Sequence, residues 1–218
     1  MQDAVSLTVV IPTLNAAATL PSTLAALAWH DVVVSDGGST DGTQDIAGVR
    51  LVTSLRGRGT QVAAGLAVAG GEWLLILHAD TRLAPGWLDA VRVHIATAPG
   101  YAAHFRFRLD SPDPRARRLE RAVAWRCRVL GLPYGDQGLL ISRAVLAAAG
   151  GMRPLPLMED VDLIHRLCCR PIALPVDAVT SAERWERDGW TRRSLRNLVC
   201  LSLWYAGVPP AQIARLYG

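Results

Sequence analysis

Hydrophobic positions in the first hundred residues fall into two alternating patterns. Residues 6–12 (SLTVVIP), 31–36 (DVVVSD), 49–54 (VRLVTS) and 72–80 (EWLLILHAD) are short runs rich in β-branched and aliphatic side chains. Val32, Val33 and Val34 in succession cannot alternate between core and water, so this run predicts a strand buried on both faces. Between the runs, residues 16–27, 58–69 and 86–98 carry helical spacing, with Trp87, Val91 and Ile95 on one face of the last. Strand and helix in repetition predict an α/β fold, a mostly parallel central sheet with helices on both faces.

After Tyr101 the pattern changes. Residues 102–109 (AAHFRFRL) alternate, placing His104, Arg106 and Arg108 on one side, as an edge or antiparallel strand would. The proline-bounded DSPDP then starts a basic helix over about 115–130, and a strand follows at 138–142. Further helices are expected from Arg143, at 158–163 (MEDVDL), and over about 191–204. No repeat, low-complexity stretch or linker divides the chain, so residues 1–218 read as a single domain.

Composition narrows the function classes. Half the 218 residues are hydrophobic and 19% are charged, which suits a folded domain with a sizeable core. A net charge of +4 does not call for nucleic acid as a partner, although it favours phosphorylated ligands. All 23 basic residues are arginine, which excludes a Walker lysine, a lysine Schiff base and a pyridoxal-phosphate anchor. Cys127, Cys168, Cys169 and Cys200 form no CxxC pair and are expected to be buried, reduced thiols, as in a cytoplasmic protein. The first 15 residues lack a basic segment followed by a long apolar one, and the apolar stretch at 198–208 is too short to span a bilayer.

Candidate chemistry gathers where the strands end. Asp36 terminates the second run, followed by Gly37 and Gly38; it either shapes the turn or faces a ligand at the carboxyl edge of the sheet. Asp80 ends the fourth run (LHADT), and parallel strands end together, so the two carboxylates share an edge suited to a hard divalent cation. His78 is either a packed core residue or part of that site. Pro12, Thr13 and Asn15, at the exit of the first strand, are expected near the same edge. Arg58, between Gly57 and Gly59, could meet phosphate or base, but the segment is not GxGxxG. Glu159 and Asp160 open a helix, where acids stabilise the N-terminal dipole or serve as general base. In YGDQG, Tyr134, Asp136 and Gln137 line an acceptor pocket or form a polar turn.

As an ordered set, VVIPTLNAAATL, VVVSDGGSTDGT, GLAVAGGEWLLILHADT and PLMEDVDL resemble the family 2 glycosyltransferases of the GT-A fold. More narrowly, SLRGRGTQ, LHADTRL, YGDQGLLISR and SAERWERDG look like a small bacterial subgroup described as associated with radical-SAM or selenium-related proteins. The resemblance implies a nucleotide-sugar-binding half over 1–100 and an acceptor-binding half over 101–218. It implies that Asp36 contacts the base or ribose, that His78, Ala79 and Asp80 bind the diphosphate through a divalent metal (Mg²⁺ or Mn²⁺), and that Asp160, beside Glu159, is the base. Arg184 and Trp185 resemble an Arg-Trp motif lying by the diphosphate or acceptor. Three departures stand out: His78 replaces the first aspartate of the metal motif, Ala16 replaces a glutamate, and Ser181 replaces the glutamine of processive relatives.

The expectation is a non-processive, inverting, metal-assisted hexosyl transfer from a nucleotide sugar to a hydroxyl of unknown acceptor. A nucleotidyltransferase and a non-catalytic nucleotide-sugar-binding protein are the alternatives. The arginine-rich helix leaves peripheral contact with anionic lipid open, and oligomeric state, dimer included, is open too.

Overall fold

Residues 6–27, 31–46 and 48–217 are described by the computed structural model. Residues 1–5 of the segment read for a leader lie outside them. The strands are β1 (Leu7–Thr13), β2 (Asp31–Asp36), β3 (Arg50–Thr53), β4 (Trp73–Ile76), β5 (Thr81–Leu83), β6 (Ala103–Leu109), β7 (Leu139–Ser142) and β8 (Ile172–Thr180). They form one sheet in the order β3-β2-β1-β4-β7-β6-β8-β5. The pairings among β1 to β4 are all parallel, whereas beyond β4 the sheet is mixed: β7 runs antiparallel to β4 and β6, and β8 runs parallel to β6 but antiparallel to β5.

The helices are α1 (Leu20–Ala26), α2 (Arg58–Val68), α3 (Trp87–Thr97), α4 (Pro114–Leu130), α5 (Arg143–Ala148), α6 (Glu159–Arg166), α7 (Glu183–Asp188), α8 (Trp190–Tyr205) and α9 (Pro210–Tyr217). Strand periodicity sends successive β1 residues to opposite faces. Val9 and Ile11 pack with Leu20 of α1 and Trp87 and Val91 of α3. Val10 packs with Val62 and Leu66 of α2 and with Val161 and Leu163 of α6. Every residue of β1 is buried, which is why its sequence does not alternate between apolar and polar; its two threonines, Thr8 and Thr13, are buried too and bond Asp31 and Asp36. α2 lies close on the sheet because position 65 is glycine: a Cβ there would sit 2.5 Å from Val10 Cγ1.

Several expectations need correction. The helix expected over 16–27 begins only at Leu20, with Pro21 in its first turn. The fourth strand ends at Ile76, so His78 and Asp80 lie on a turn closed by the Thr81 N–H to His78 carbonyl bond (3.2 Å). β6 is antiparallel to β7, one of the two alternatives, but it is interior rather than at an edge, and while Arg106 and Arg108 are exposed His104 is buried. In α3, Trp87, Val91 and Ile95 face one core cluster as expected, and His94 is buried as well. Only Cys200 is a buried thiol; Cys127 is half-buried, and Cys168 and Cys169 are exposed. Among the described residues no helix is long and apolar enough to cross a membrane.

Candidate active site

Two loop systems stand at the carboxyl edge of the parallel strands. In the first, the parallel register sets Thr13 beside Asp36. Asp36 has no exposed surface: its Oδ2 accepts from Thr13 Oγ1 (2.8 Å) and Ser39 Oγ (2.5 Å), and its Oδ1 from the Gly38 and Ser39 N–H groups and Gln44 Nε2 (2.9, 2.8 and 2.7 Å). Burial works to raise its pKa, but these donors prevail and hold it below the usual carboxylate value. Asn15 is in the left-handed region at φ 51° and stitches the two loops, its N–H donating to Ser39 Oγ (2.8 Å) and its Oδ1 accepting from the Thr40 N–H (2.9 Å). Pro12 and Gly37 are buried and Gly38 is exposed. A Cβ at Gly37 would lie 2.9 Å from the Gln61 amide, which itself bonds the Thr13 carbonyl. Asp36 therefore organises this loop, and its lone pairs are engaged within it.

The second system is a cavity of about 120 Å³ that brings together Arg58, His78, Asp80, Asp136, Asp160 and Arg184. Trp185 also lines it, stacked on Trp190 with ring centroids 6.1 Å apart. Sequence reasoning missed one wall: Arg193, Asn197 and Tyr217 from α8 and α9. Arg193 and Asn197 are one helical turn apart, and this polar pair on the inward side of an amphipathic helix was the available signal.

The acidic pair is divided by the start of α6. Met158 precedes it at φ 63°, a costly conformation for a non-glycine residue, of the kind that collects at functional sites. Glu159 turns inward, 3% exposed, and pairs with Arg58 Nε. Burial pushes its pKa up and Arg58 opposes the rise. Asp160 turns to the cavity: its Oδ2 accepts the Gly135 N–H (2.8 Å) and lies 3.9 Å from the Arg58 guanidinium, and its Oδ1 accepts the Val161 N–H (2.8 Å). Gly135 is the close-approach point, since a Cβ there would meet His78 Nε2 at 2.6 Å and Asp160 Oδ2 at 3.4 Å.

Charge in the cavity is balanced unevenly. Burial, then the Arg58 charge, push His78 down to about 4 despite Asp80 and Asp160, so its imidazole is neutral near pH 7. Burial pushes Asp136 up to about 6, with Asp160 and Asp80 adding to the rise and Arg126 and Arg58 opposing it; its Oδ1 is enclosed with no hydrogen-bond partner. Tyr134 is pushed up to about 12, chiefly by burial, with the Arg126 guanidinium 3.4 Å over its ring. Gln137 does not line this cavity. It is 2% exposed, and its amide bonds Arg126, the Tyr134 N–H and the Phe105 carbonyl. Ala79 is buried, and its carbonyl accepts from Thr23 (2.9 Å).

A divalent cation fits the donor chemistry. Asp80 offers a hard carboxylate and His78 a neutral imidazole on the same cavity wall. Among the described residues no three His, Cys, Asp or Glu side chains form a metal-holding group. Asp80 supplies a hard oxygen ligand of the kind Mg²⁺ or Mn²⁺ takes beside phosphate oxygens and water.

Comparison with known proteins gives the family and the fold. A family model described as "Glycosyl transferase family 2" matches residues 8–145. "PGL/p-HBAD biosynthesis glycosyltransferase" proteins of Mycobacterium bovis and Mycobacterium tuberculosis are 40% identical over 90 residues, covering 34% of this chain. The match spans 35% of those relatives' length. Among solved structures, S. aureus TarS 1-349 superposes with a TM-score of 0.62 at 17% identity, over 97% of this chain and 70% of that one. Glucosyl-3-phosphoglycerate synthase from Mycobacterium tuberculosis, in complex with Mn²⁺, UDP and glucosyl-3-phosphoglycerate, gives 0.57 at 22% identity, over 94% and 81%. At these identities the likeness shows the fold, that of GT-A glycosyltransferases.

Proposed function

The chain belongs to glycosyl transferase family 2, and from that premise we propose that it moves a sugar from a nucleotide-diphosphate sugar to an acceptor hydroxyl, with inversion and without processivity. The observation that carries this reading is the convergence of Asp160, Asp80, His78, Arg58 and Arg184 on one cavity. The TarS and synthase structures hold UDP or UDP-sugars, which supports a nucleotide-sugar donor here.

Asp160 acts as proton acceptor. The Gly135 and Val161 N–H groups fix the carboxylate while each oxygen keeps a lone-pair direction for an incoming hydroxyl. Removal of that proton in the transition state is worth about 10²- to 10⁴-fold in rate. The new C–O bond forms as the anomeric carbon–diphosphate bond breaks, and the diphosphate leaves with the electron pair. Arg58 and Arg184 offset its charge from within the cavity. Asp80 and His78 would hold a divalent cation, which would supply further neutralisation of the diphosphate; the synthase structure with UDP-glucose is a Mn²⁺ complex. The neutral state of His78 keeps it available to that role or as a hydrogen-bonding partner of the leaving group.

One observation favours a second assignment of the base. Asp136, pushed up to about 6 and with its enclosed Oδ1 unpartnered, is also poised to take a proton near neutral pH. Turnover of a UDP-sugar, followed as UDP release, separates the two. Asp160→Asn is expected to lower turnover at least about 100-fold with donor affinity within about threefold of the parent. Unchanged turnover in Asp160→Asn, with loss in Asp136→Asn, moves the role to Asp136. Donor binding without turnover in the parent protein supports the non-catalytic alternative.

A further inference from the structure

A second cavity, about 860 Å³, shares no lining residue with the first. The turn Gly135–Gln137 separates them, giving Asp136 to one and Gln137 to the other. Its walls are α4 and the neighbouring parts of β6 and β8. Arginines 106, 108, 117, 121, 128 and 170 line it against two acids, Glu120 and Asp177.

Those acids are already engaged. Glu120, 6% exposed, accepts from the Leu109 N–H (2.8 Å), Arg108 (2.7 Å) and Arg117 (3.0 Å). Asp177 takes Arg106 at 2.8 Å and Arg108 at 3.5 Å. Arg121, Arg128 and Arg170 have no carboxylate partner among the described residues. Arg121 Nε and Arg170 Nη1 donate only to backbone carbonyls, of Arg117 and Val129 respectively (both 3.2 Å). Three guanidiniums around one concavity without counter-charge make an anion site, and their planar forks match phosphate oxygens.

The rim decides what carries the phosphate. Arg117, Arg121 and Arg128, at i, i+4 and i+11, lie along one side of α4. On the adjoining exposed side stand Trp125 (53% exposed) and, one turn later, Val129 (43%). Leu130 is half-exposed at the helix end. There Arg170 packs so closely that a Cβ on Gly131 would meet its side chain at 2.8 Å. A soluble phosphate has no use for an exposed tryptophan and branched aliphatics beside the groove. A bilayer surface does, because tryptophan favours the headgroup level while arginines take anionic headgroups. We propose that this face docks on anionic membranes: a lipid headgroup phosphate enters the groove between Arg121, Arg128 and Arg170, and Trp125 and Val129 enter the headgroup–acyl boundary.

Vesicle co-sedimentation of the full chain tests this. The probes are phosphatidylcholine vesicles with and without about 30 mol% phosphatidylglycerol. Expected is binding to the anionic vesicles at least about tenfold tighter than to neutral ones, falling as salt rises. Binding should weaken at least about tenfold in R121Q/R128Q/R170Q and about threefold or more in Trp125→Ser. Retained far-ultraviolet circular dichroism shows each variant folded, and R128Q alone substitutes if the triple variant is not. No binding to anionic vesicles overturns the proposal, as does equal binding by the arginine variants. Binding of inorganic pyrophosphate to the groove without vesicle binding overturns it too, showing a site for soluble anions. No donor enters this assay, so its outcome is independent of the transferase reading.

Discussion

Replacing Arg58 by methionine tests whether the cavity's electrostatics are as the geometry implies. Glu159 is 3% exposed, its Oε1 is paired with Arg58, and its Oε2 is enclosed with no hydrogen-bond partner. Without Arg58 that carboxylate would have no cation to offset its burial. Breaking a buried pair from one side costs about 3–5 kcal/mol. Arg58 is itself 36% exposed, so water entering the vacated space reduces the expected loss to about 2–3 kcal/mol. That is a large part of a total stability on the order of 5–15 kcal/mol. Urea unfolding at pH 7 should show a lower midpoint with an unchanged slope. The pH dependence has a definite sign. Burial already raises the Glu159 pKa, and losing Arg58 removes the opposing influence. A raised carboxyl pKa makes the folded state hold its proton more tightly. The variant's deficit should therefore shrink as pH falls from 7 towards 5 and grow as pH rises. Arg58→Met combined with Glu159→Leu removes both charges and should recover most of the loss, giving a coupling energy of about 1–3 kcal/mol. A single-variant loss below about 0.5 kcal/mol, or a double variant no more stable than the single, would refute the reasoning.

Two further outcomes follow from the carboxylates nearby. Asp36→Asn is expected to lose about 2–3 kcal/mol in urea unfolding at pH 7, because an amide cannot accept from all five donors now on the carboxylate. Its pKa is held below the usual value, so the Asp36 contribution is present at neutral pH and disappears as pH falls through the acid range, where parent and variant should converge. Asp136 behaves oppositely. Pushed up to about 6 in the folded state, it costs stability as pH rises from about 4 through 6, by at most about 3 kcal/mol. Asp136→Asn should flatten that slope and be the more stable protein at pH 8.

What was legible in the sequence divides along physical lines. The valine run of β2 and the alanine-rich α2 announce themselves because local pattern and burial agree: β2 ends at Asp36 and α2 starts at Arg58, as read. α4 also shows both boundaries, Asp113 capping the Arg115 N–H (2.7 Å) and Gly131 closing the helix at φ 63°. β8 was not legible. Its pairing with β6 shifts between His104 and Arg106, and Pro175 sits in the interruption, so neither alternation nor a clean apolar run survives. β5, at three residues, is too short to show a period. Cavity residues at strand and helix starts could be read from position alone. The Arg193 and Asn197 pair, one helical turn apart, marked a polar inward side of α8, but that this side and Tyr217 reach the cavity depends on how α8 and α9 fold back, which is tertiary packing. Asp36 shows the converse: its type and place at the strand end were legible, but the five hydrogen bonds that organise its loop were not.

The most direct test of the central claim is a thermal-shift panel of UDP, GDP and CDP and their sugars, with and without Mn²⁺, on the parent protein and Asp80→Asn. A ligand at about 100 times its dissociation constant adds about 2.7 kcal/mol to the folded state, which a melting curve resolves readily. The proposed function requires a stabilising shift with at least one nucleotide sugar, enhanced by Mn²⁺ and largely lost in Asp80→Asn. No shift with any nucleotide, or a shift indifferent to Asp80, would contradict a donor site in this cavity.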